Sequence, residues 1–218
     1  MTEPSPSNSG TRGRGTGRPR RTQAERRAES EREILLAAAT LFGRQGYTAT
    51  TLEQIGKKAG YSSALVSLRF GSKEGIAEAI VARLQTRAGS EVFDSEDGVT
   101  GLASLNRIFS GYSELIRNAE QWMRALFMLM TDSLGPLNGK IDLFRAGNEN
   151  FAAAIERAIR QGQEAGEIRT DLDSAGTAFE ILAAVRGTTL LWLLDPDKID
   201  LVAAIEDLRV SVEDRLSC

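Results

Sequence analysis

Residues 50–73 read TTLEQIGKKAGYSSALVSLRFGSK, and this stretch decides the fold. Thr50 followed three residues later by Glu53 forms a capping box, so a short helix is expected from there through Lys58. Ala59-Gly60-Tyr61 turns the chain, and Ser62 caps a second short helix from Ser63 to Phe70. Gly71-Ser72 interrupts again, with Ser72 capping a longer helix from Lys73 to about Arg87. Two short helices joined by a tight glycine-containing turn make a helix-turn-helix. Its second helix fits the DNA major groove while the first braces it across the backbone. Leu52, Ile55, Ala59, Val66 and Phe70 form the inward set, which leaves Ser63, Ala64, Leu65, Ser67, Leu68 and Arg69 as the reading surface. Helix starts at Thr50, Ser62 and Ser72 offer backbone N–H groups to phosphates, and Lys73 lies in the first turn after the last of these.

On the N-terminal side, Ile34, Leu35, Ala38, Leu41 and Phe42 make the single buried stripe of a helix, stopped by a left-handed cap at Gly46. Before Glu25 the chain is Pro, Ser, Gly, Thr and Arg with little to bury, an arm expected to be disordered in isolation. On the C-terminal side, a loop by composition (Asp94–Gly98) leads into five longer segments. Leu102, Leu105, Phe109, Tyr112 and Ile116 mark one stripe, and Trp122 to Met130 is apolar nearly all round. Ile141, Phe144, Phe151, Ile155 and Ile159 mark a third helix, and Leu172 to Leu194 is apolar on more than one face. Leu201, Ile205, Leu208 and Val212 line the last helix, whose Glu206, Asp207, Glu213 and Asp214 face away. No run alternates like a strand, so the expected class is all-α.

The 218 residues carry a net charge of −3, which hides a division. Residues 1–90 hold 15 Lys and Arg against 8 Asp and Glu, a net of +7, and residues 91–218 hold 12 against 22, a net of −10. A basic front on an acidic back suggests that the first half meets a polyanion and the second does not. The chain has no histidine, which excludes Ser-His-Asp and Cys-His catalysis and every His-ligated metal site. The one cysteine, Cys218, excludes an intrachain disulfide or thiolate cluster. No carboxylate pair is anchored by a catalytic motif and no glycine loop sits in a strand–helix context, so neither an enzyme nor a cofactor is expected. The most apolar stretch, Ile181 to Leu194, is broken by Arg186, Gly187 and two threonines. Neither a membrane helix nor a secretory signal is expected, and the reading is a cytoplasmic protein.

The pattern Ile34-Leu35-x2-Ala38-Ala39-x-Leu41-Phe42, Gly46-Tyr47-x2-Thr50-Thr51-x3-Ile55, Ala59-Gly60-Tyr61-Ser62, Phe70-Gly71-Ser72-Lys73-Glu74 resembles the tetracycline-repressor (TetR) family. Each element occurs in order at family spacing over roughly residues 30 to 80. The resemblance implies a homodimeric, all-helical transcriptional regulator, usually a repressor released by a small ligand. The matching organisation is a basic arm (1–24), a helix-turn-helix DNA-binding domain (25–88) and a ligand-binding and dimerisation domain (89–218). An activator or ligand-independent regulator of the same fold is the alternative, and an architectural DNA-binding protein a more distant one.

DNA contact is expected at Thr50, Thr51, Ser62, Ser63, Ala64, Leu65, Ser67, Arg69 and Lys73. Family members commonly place a tyrosine and then a histidine where this chain has Ser67 and Arg69. Serine keeps one hydrogen bond without the aromatic reach, and arginine supplies a full charge. Leu65 either packs against a thymine methyl or supports the helix–helix core. In the arm, Gly17-Arg18-Pro19-Arg20-Arg21 resembles an AT-hook core, which would place Arg18 and Arg20 in a narrow minor groove.

In the acidic half, Phe109, Tyr112, Trp122, Phe127, Met128, Phe144, Phe151 and Phe179 are candidate walls for a small, largely apolar effector. Each also reads as ordinary core. Asn148 falls on the otherwise apolar line Phe144–Phe151–Ile155, so its amide needs either a ligand group or a neighbouring helix. The last two helices suit a dimer interface, because Leu172–Leu194 has more apolar surface than one contact uses and Ala183, Ala184 and Gly187 permit close approach. A twofold dimer would place two recognition helices on a palindromic operator in double-stranded DNA.

Overall fold

The computed structural model describes residues 22–88 and 101–218. These residues form eight α-helices: α1 (Gln23–Gln45), α2 (Leu52–Ala59), α3 (Ser63–Phe70), α4 (Lys73–Ala88), α5 (Gly101–Asp132), α6 (Ile141–Glu164), α7 (Ser174–Leu194) and α8 (Leu201–Leu216). The basic arm, including Arg18 and Arg20, and the Asp94–Gly98 loop lie outside the described residues. The only extended pairing among the described residues is an isolated bridge between Ile168 and Ser217, in keeping with the all-α expectation.

Local chemistry sets most helix boundaries. Thr22 opens α1 in a reciprocal capping box with Glu25. Ser62 caps α3 by accepting the Leu65 N–H at 3.2 Å, and Ser72 accepts the Gly75 N–H at the start of α4. Asp173 and Asp200 cap α7 and α8 in the same way. One expected cap shifts by a residue. The capping box of α2 is Thr51 with Gln54, because Thr50 is fully buried and its hydroxyl donates to Gly46 O at 2.8 Å.

The tight turn between α2 and α3 needs two glycines. Gly60 is left-handed, with φ 79° and ψ 24°. Gly56 packs so closely under the turn that a Cβ there would stand 2.7 Å from Tyr61 O, and its own carbonyl accepts the Tyr61 N–H.

Two hydrophobic cores follow, and α5 runs through both. The first joins α1 to α4 around Ile34, Phe42, Ile55, Val66, Ile76 and Ile80, and it takes in Ala125 and Leu129 of α5 and Phe144 of α6. The second lies between α5, α6, α7 and α8, around Phe109, Tyr112, Phe127, Phe151, Ile181 and Ile205. The two apolar segments expected at Leu102–Ile116 and Trp122–Met130 are thus one helix, broken in direction at Ala119 (φ −145°, ψ 32°). Beyond the break α5 serves both cores, with Met123 and Phe127 in the second and Ala125 and Leu129 in the first.

Among the described residues, α7 is the one helix long and apolar enough to cross a membrane. It packs between α6 and α8 with Ala178, Ile181, Leu182, Val185 and Trp192 buried, as the core helix of a bundle does. Its outer face carries Phe179, Leu190, Leu191 and Leu194, all exposed.

Candidate nucleic-acid interface and effector core

Helix α3, where the sequence places the reading surface, is held from below by Val66, which is fully buried. Burying one such side chain is worth roughly 2 kcal/mol, enough to fix which face looks outward. That outward face presents Ser63, Ala64, Ser67 and Leu68. Leu68 is 75% exposed. Leu65, by contrast, is half-buried. Ser67 turns its hydroxyl to Gly71 O at 3.1 Å. Arg69 is half-buried, and its Nε is buried without a hydrogen-bond partner. Thr51 and Ser62 are exposed at the starts of α2 and α3.

Two of the residues expected at DNA serve the frame instead. Thr50 is buried against Gly46, as above, and offers no side chain to a phosphate. Lys73 points its ammonium into the loop between α1 and α2, donating to Tyr47 O at 2.8 Å and Thr50 O at 2.9 Å. The same ammonium lies 4.1 Å from the Tyr47 ring centroid. An ammonium has three donors, so two carbonyls leave Lys73 a single N–H for any phosphate.

Tyr47 anchors this loop from several sides. Its hydroxyl donates to Glu74 Oε1 at 2.5 Å, and its backbone N–H donates to Asp132 Oδ2 at 2.8 Å. Burial, and then the Glu74 carboxylate, push the phenol well above its ordinary range. The same bond holds the Glu74 carboxyl below its usual value. Gln45 closes the far side, donating to Ala49 O, Thr50 Oγ1 and Gln54 Oε1.

The candidate effector walls divide into four groups. Phe109, Tyr112, Phe127 and Phe151 meet in the second core, with Tyr112 and Phe151 ring centroids 5.9 Å apart. Phe144 belongs to the first core, and Trp122 packs half-buried against that core beneath Arg83. Met128 is half-buried and its methyl approaches the Gly46 loop. Phe179 is 67% exposed on the outer face of α7. The expected wall therefore shrinks to four rings, because helix periodicity marks a buried stripe without telling which core it enters.

The polar members of the second core are more specific. Asn148 Oδ1 accepts from Arg186 Nε at 3.1 Å, so the amide on the apolar line of α6 is met by a neighbouring helix. Tyr112 Oη and Thr189 Oγ1 are 2.8 Å apart. Thr189 gives its proton to Val185 O, which makes Tyr112 the donor of that pair. Burial pushes the Tyr112 phenol upward against the opposing pull of the Arg186 charge. Arg186 and Thr189 were visible in the sequence only as interruptions of an apolar run. Their spacing of three along a helix was the available signal for a shared face.

A helix-turn-helix head packed on a helical body defines a DNA-binding transcriptional regulator. Comparison with known proteins agrees with that class. Residues 34–80 match the family of bacterial regulatory proteins, tetR family, and residues 141–208 match the tetracyclin repressor-like C-terminal domain. The transcriptional regulator TtgR of Pseudomonas putida is 26% identical over 197 residues, covering 86% of this chain and 90% of its own. A candidate TetR-family transcriptional regulator of Rhodococcus sp. superposes with a TM-score of 0.75 at 24% identity, over 86% of this chain and 98% of that one. SmeT in its complex with triclosan superposes with a TM-score of 0.68 at 22% identity, over 84% and 90%. The chain belongs to the TetR family of transcriptional regulators.

Proposed function

We propose that the protein is a homodimeric repressor that holds a palindromic operator and leaves it when a small molecule enters the second core. The observation that carries the release is the course of α5. One helix supplies Phe109 and Tyr112 to the second core, presents Phe127 to the second and Ala125 and Leu129 to the first from opposite faces of its last turns, and ends at Asp132 on the Tyr47 loop. A ligand that favours one packing of that helix favours one placement of the reading head, to the extent that it binds the two placements unequally. The triclosan complex of SmeT supports a small-molecule site in a protein of this fold.

Ser63, Ala64, Ser67 and Leu68 are the proposed base-reading side chains, with Thr51, Ser62 and Arg69 at the phosphates. The exposed strip Phe179, Leu190, Leu191 and Leu194 on α7 supports a twofold interface through α7 and α8. The proposed site of action is the cytoplasm.

Footprinting on the DNA that flanks the chain's own gene tests the reading. A protected palindrome with one dimer bound, vacated on addition of a ligand, is the expected result. Protection without symmetry, or without sequence preference, would count against it.

A further inference from the structure

Arg186 is a charge in apolar company. It leaves the middle of α7 half-buried, with its guanidinium carbon 5.4 Å from the Phe127 ring centroid and 5.3 Å from that of Phe151. Asn148 accepts its Nε proton, and one helical turn further on stands the Tyr112–Thr189 pair. Six other body arginines have carboxylates, among them Arg124 with Glu120, Arg160 with Glu156, Arg209 with Glu206 and Arg215 with Glu180. Among the described residues, none stands within ion-pair distance of Arg186.

Asn148 is neutral and takes one of five guanidinium protons. The two rings attract a cation but bring no counter-charge. Drawing a guanidinium partly out of water without one is costly, and a methionine or leucine would fill the same space without that cost. The arrangement is accounted for if the counter-charge arrives from outside. With Nε on Asn148 and the Tyr112 hydroxyl also beside the guanidinium, the two terminal nitrogens still hold protons enough to meet a carboxylate in two parallel hydrogen bonds. Phe127, Phe151 and Tyr112 lie beside it and suit an apolar body.

We propose that Arg186 anchors the carboxylate of an amphipathic organic acid, with Asn148 orienting the guanidinium and the surrounding rings taking the acid's hydrocarbon. The inference rests on the second core being the effector site, and it narrows the expected small, largely apolar effector to one that carries an anionic group. It also places the ligand against Phe127, which stands between Ala125 and Leu129, the residues that α5 gives to the first core.

The test uses the full-length protein with octanoate, decanoate and 2-naphthoate, each beside its uncharged primary amide. Binding is followed by tryptophan fluorescence and by the shift in melting temperature. At least one acid is expected to bind about tenfold or more tighter than its amide. Arg186→Met should remove that preference while operator binding and the helical circular dichroism spectrum stay as they were. Arg186→Lys, which keeps the charge but not the fork, should retain part of it. Should Arg186→Met fold poorly, the acid–amide comparison on the unaltered protein still decides. Acids and amides that bind alike, no binding by any acid, or a preference that survives Arg186→Met would overturn the proposal. So would an Arg186→Met protein that loses its dimer while binding acids normally, since the charge would then belong to a subunit interface. Operator release by a neutral compound, with the acids inert, would keep the effector-released repressor and remove the anion site. Acid binding through Arg186 without operator release would do the reverse.

Discussion

Asp132, the last residue of α5, accepts the Tyr47 backbone N–H at 2.8 Å across 85 residues of sequence. The bond ties the end of the body's longest helix to the loop that Lys73 and Thr50 hold under the reading head. Asp132→Ala removes a charged acceptor from a partly buried N–H, a change expected to cost about 1–3 kcal/mol of stability. Denaturant unfolding checks this, and Asp132→Asn, which keeps an acceptor oxygen, should lose less. Operator titrations with and without an effector should also show weaker coupling in Asp132→Ala. Unchanged stability together with unchanged coupling would mean that the bond transmits nothing.

The Tyr47–Glu74 bond predicts a particular dependence on acid. The tyrosine hydroxyl holds the Glu74 carboxyl below its ordinary value. A carboxyl lowered on folding adds stability that is fully present above its unfolded pKa, about 4.3. That contribution is lost as the pH falls through the lower folded value. Tyr47→Phe removes the donor. Its stability deficit against the unaltered protein should therefore be largest near neutral pH and shrink below about pH 4. Because phenylalanine keeps the ring that packs 5.8 Å from Phe42, a deficit that stays constant down to pH 3 would mean that the hydroxyl contributes independently of the Glu74 charge.

Leu68 and Lys73 should separate cleanly in DNA titrations. Leu68 is three-quarters exposed on the reading face, where apolar contact with thymine methyls is the chemistry open to it. Leu68→Ala should weaken operator binding about tenfold, with affinity for unrelated DNA unchanged. Lys73→Ala should act mainly through stability, since its ammonium is committed to Tyr47 O and Thr50 O. Its salt slope should fall by less than the roughly one unit that a full phosphate contact contributes. A full-unit fall with normal stability would return Lys73 to the phosphates.

Leu191 and Leu194 lie on one outer strip of α7, the latter 76% exposed. Placing charge there should not disturb the inner face, where Ile181, Val185 and Trp192 are buried. Leu191→Glu combined with Leu194→Glu is expected to give a folded monomer by light scattering and circular dichroism, with cooperative operator binding lost. A dimer that survives both changes would move the interface elsewhere.

What the sequence disclosed follows the range of the interactions involved. The Ser62 cap was legible because its acceptor and the Leu65 N–H are three residues apart. The choice between Thr50 and Thr51 was not, because each is followed at the same spacing by an acidic or amide side chain. Burial of the Thr50 hydroxyl against Gly46 decided it. Phe144 and Phe151 share one stripe of α6, but about 10 Å of helix separates them. That distance is enough to put them in different cores. The α7 run showed two apolar faces without saying which faced outward, which is why Phe179 was expected inside. Arg186 finds Asn148 at a separation of 38 residues, a pairing that no local periodicity encodes.

The distribution of charge also defines what the N-terminal arm should do. Residues 25–90 carry 10 Lys and Arg against 7 Asp and Glu. Within the described part, Arg27 and Arg32 are paired with glutamates and Lys73 with carbonyls. The folded head's net charge is thus only +3, whereas the arm up to residue 24 brings five arginines against one glutamate. Long-range attraction to DNA should come largely from the arm, and sequence preference from α3. Deleting residues 1–24 is expected to weaken operator binding and reduce the slope of log affinity against log salt by about 0.9 for each phosphate that the arm neutralises. The ratio of operator to non-specific affinity should stay as it was. Titrations on operator and scrambled DNA at several salt concentrations measure both quantities. Unchanged slope would show that the arm stays off the DNA, and a lowered ratio would assign base reading to Arg18 and Arg20.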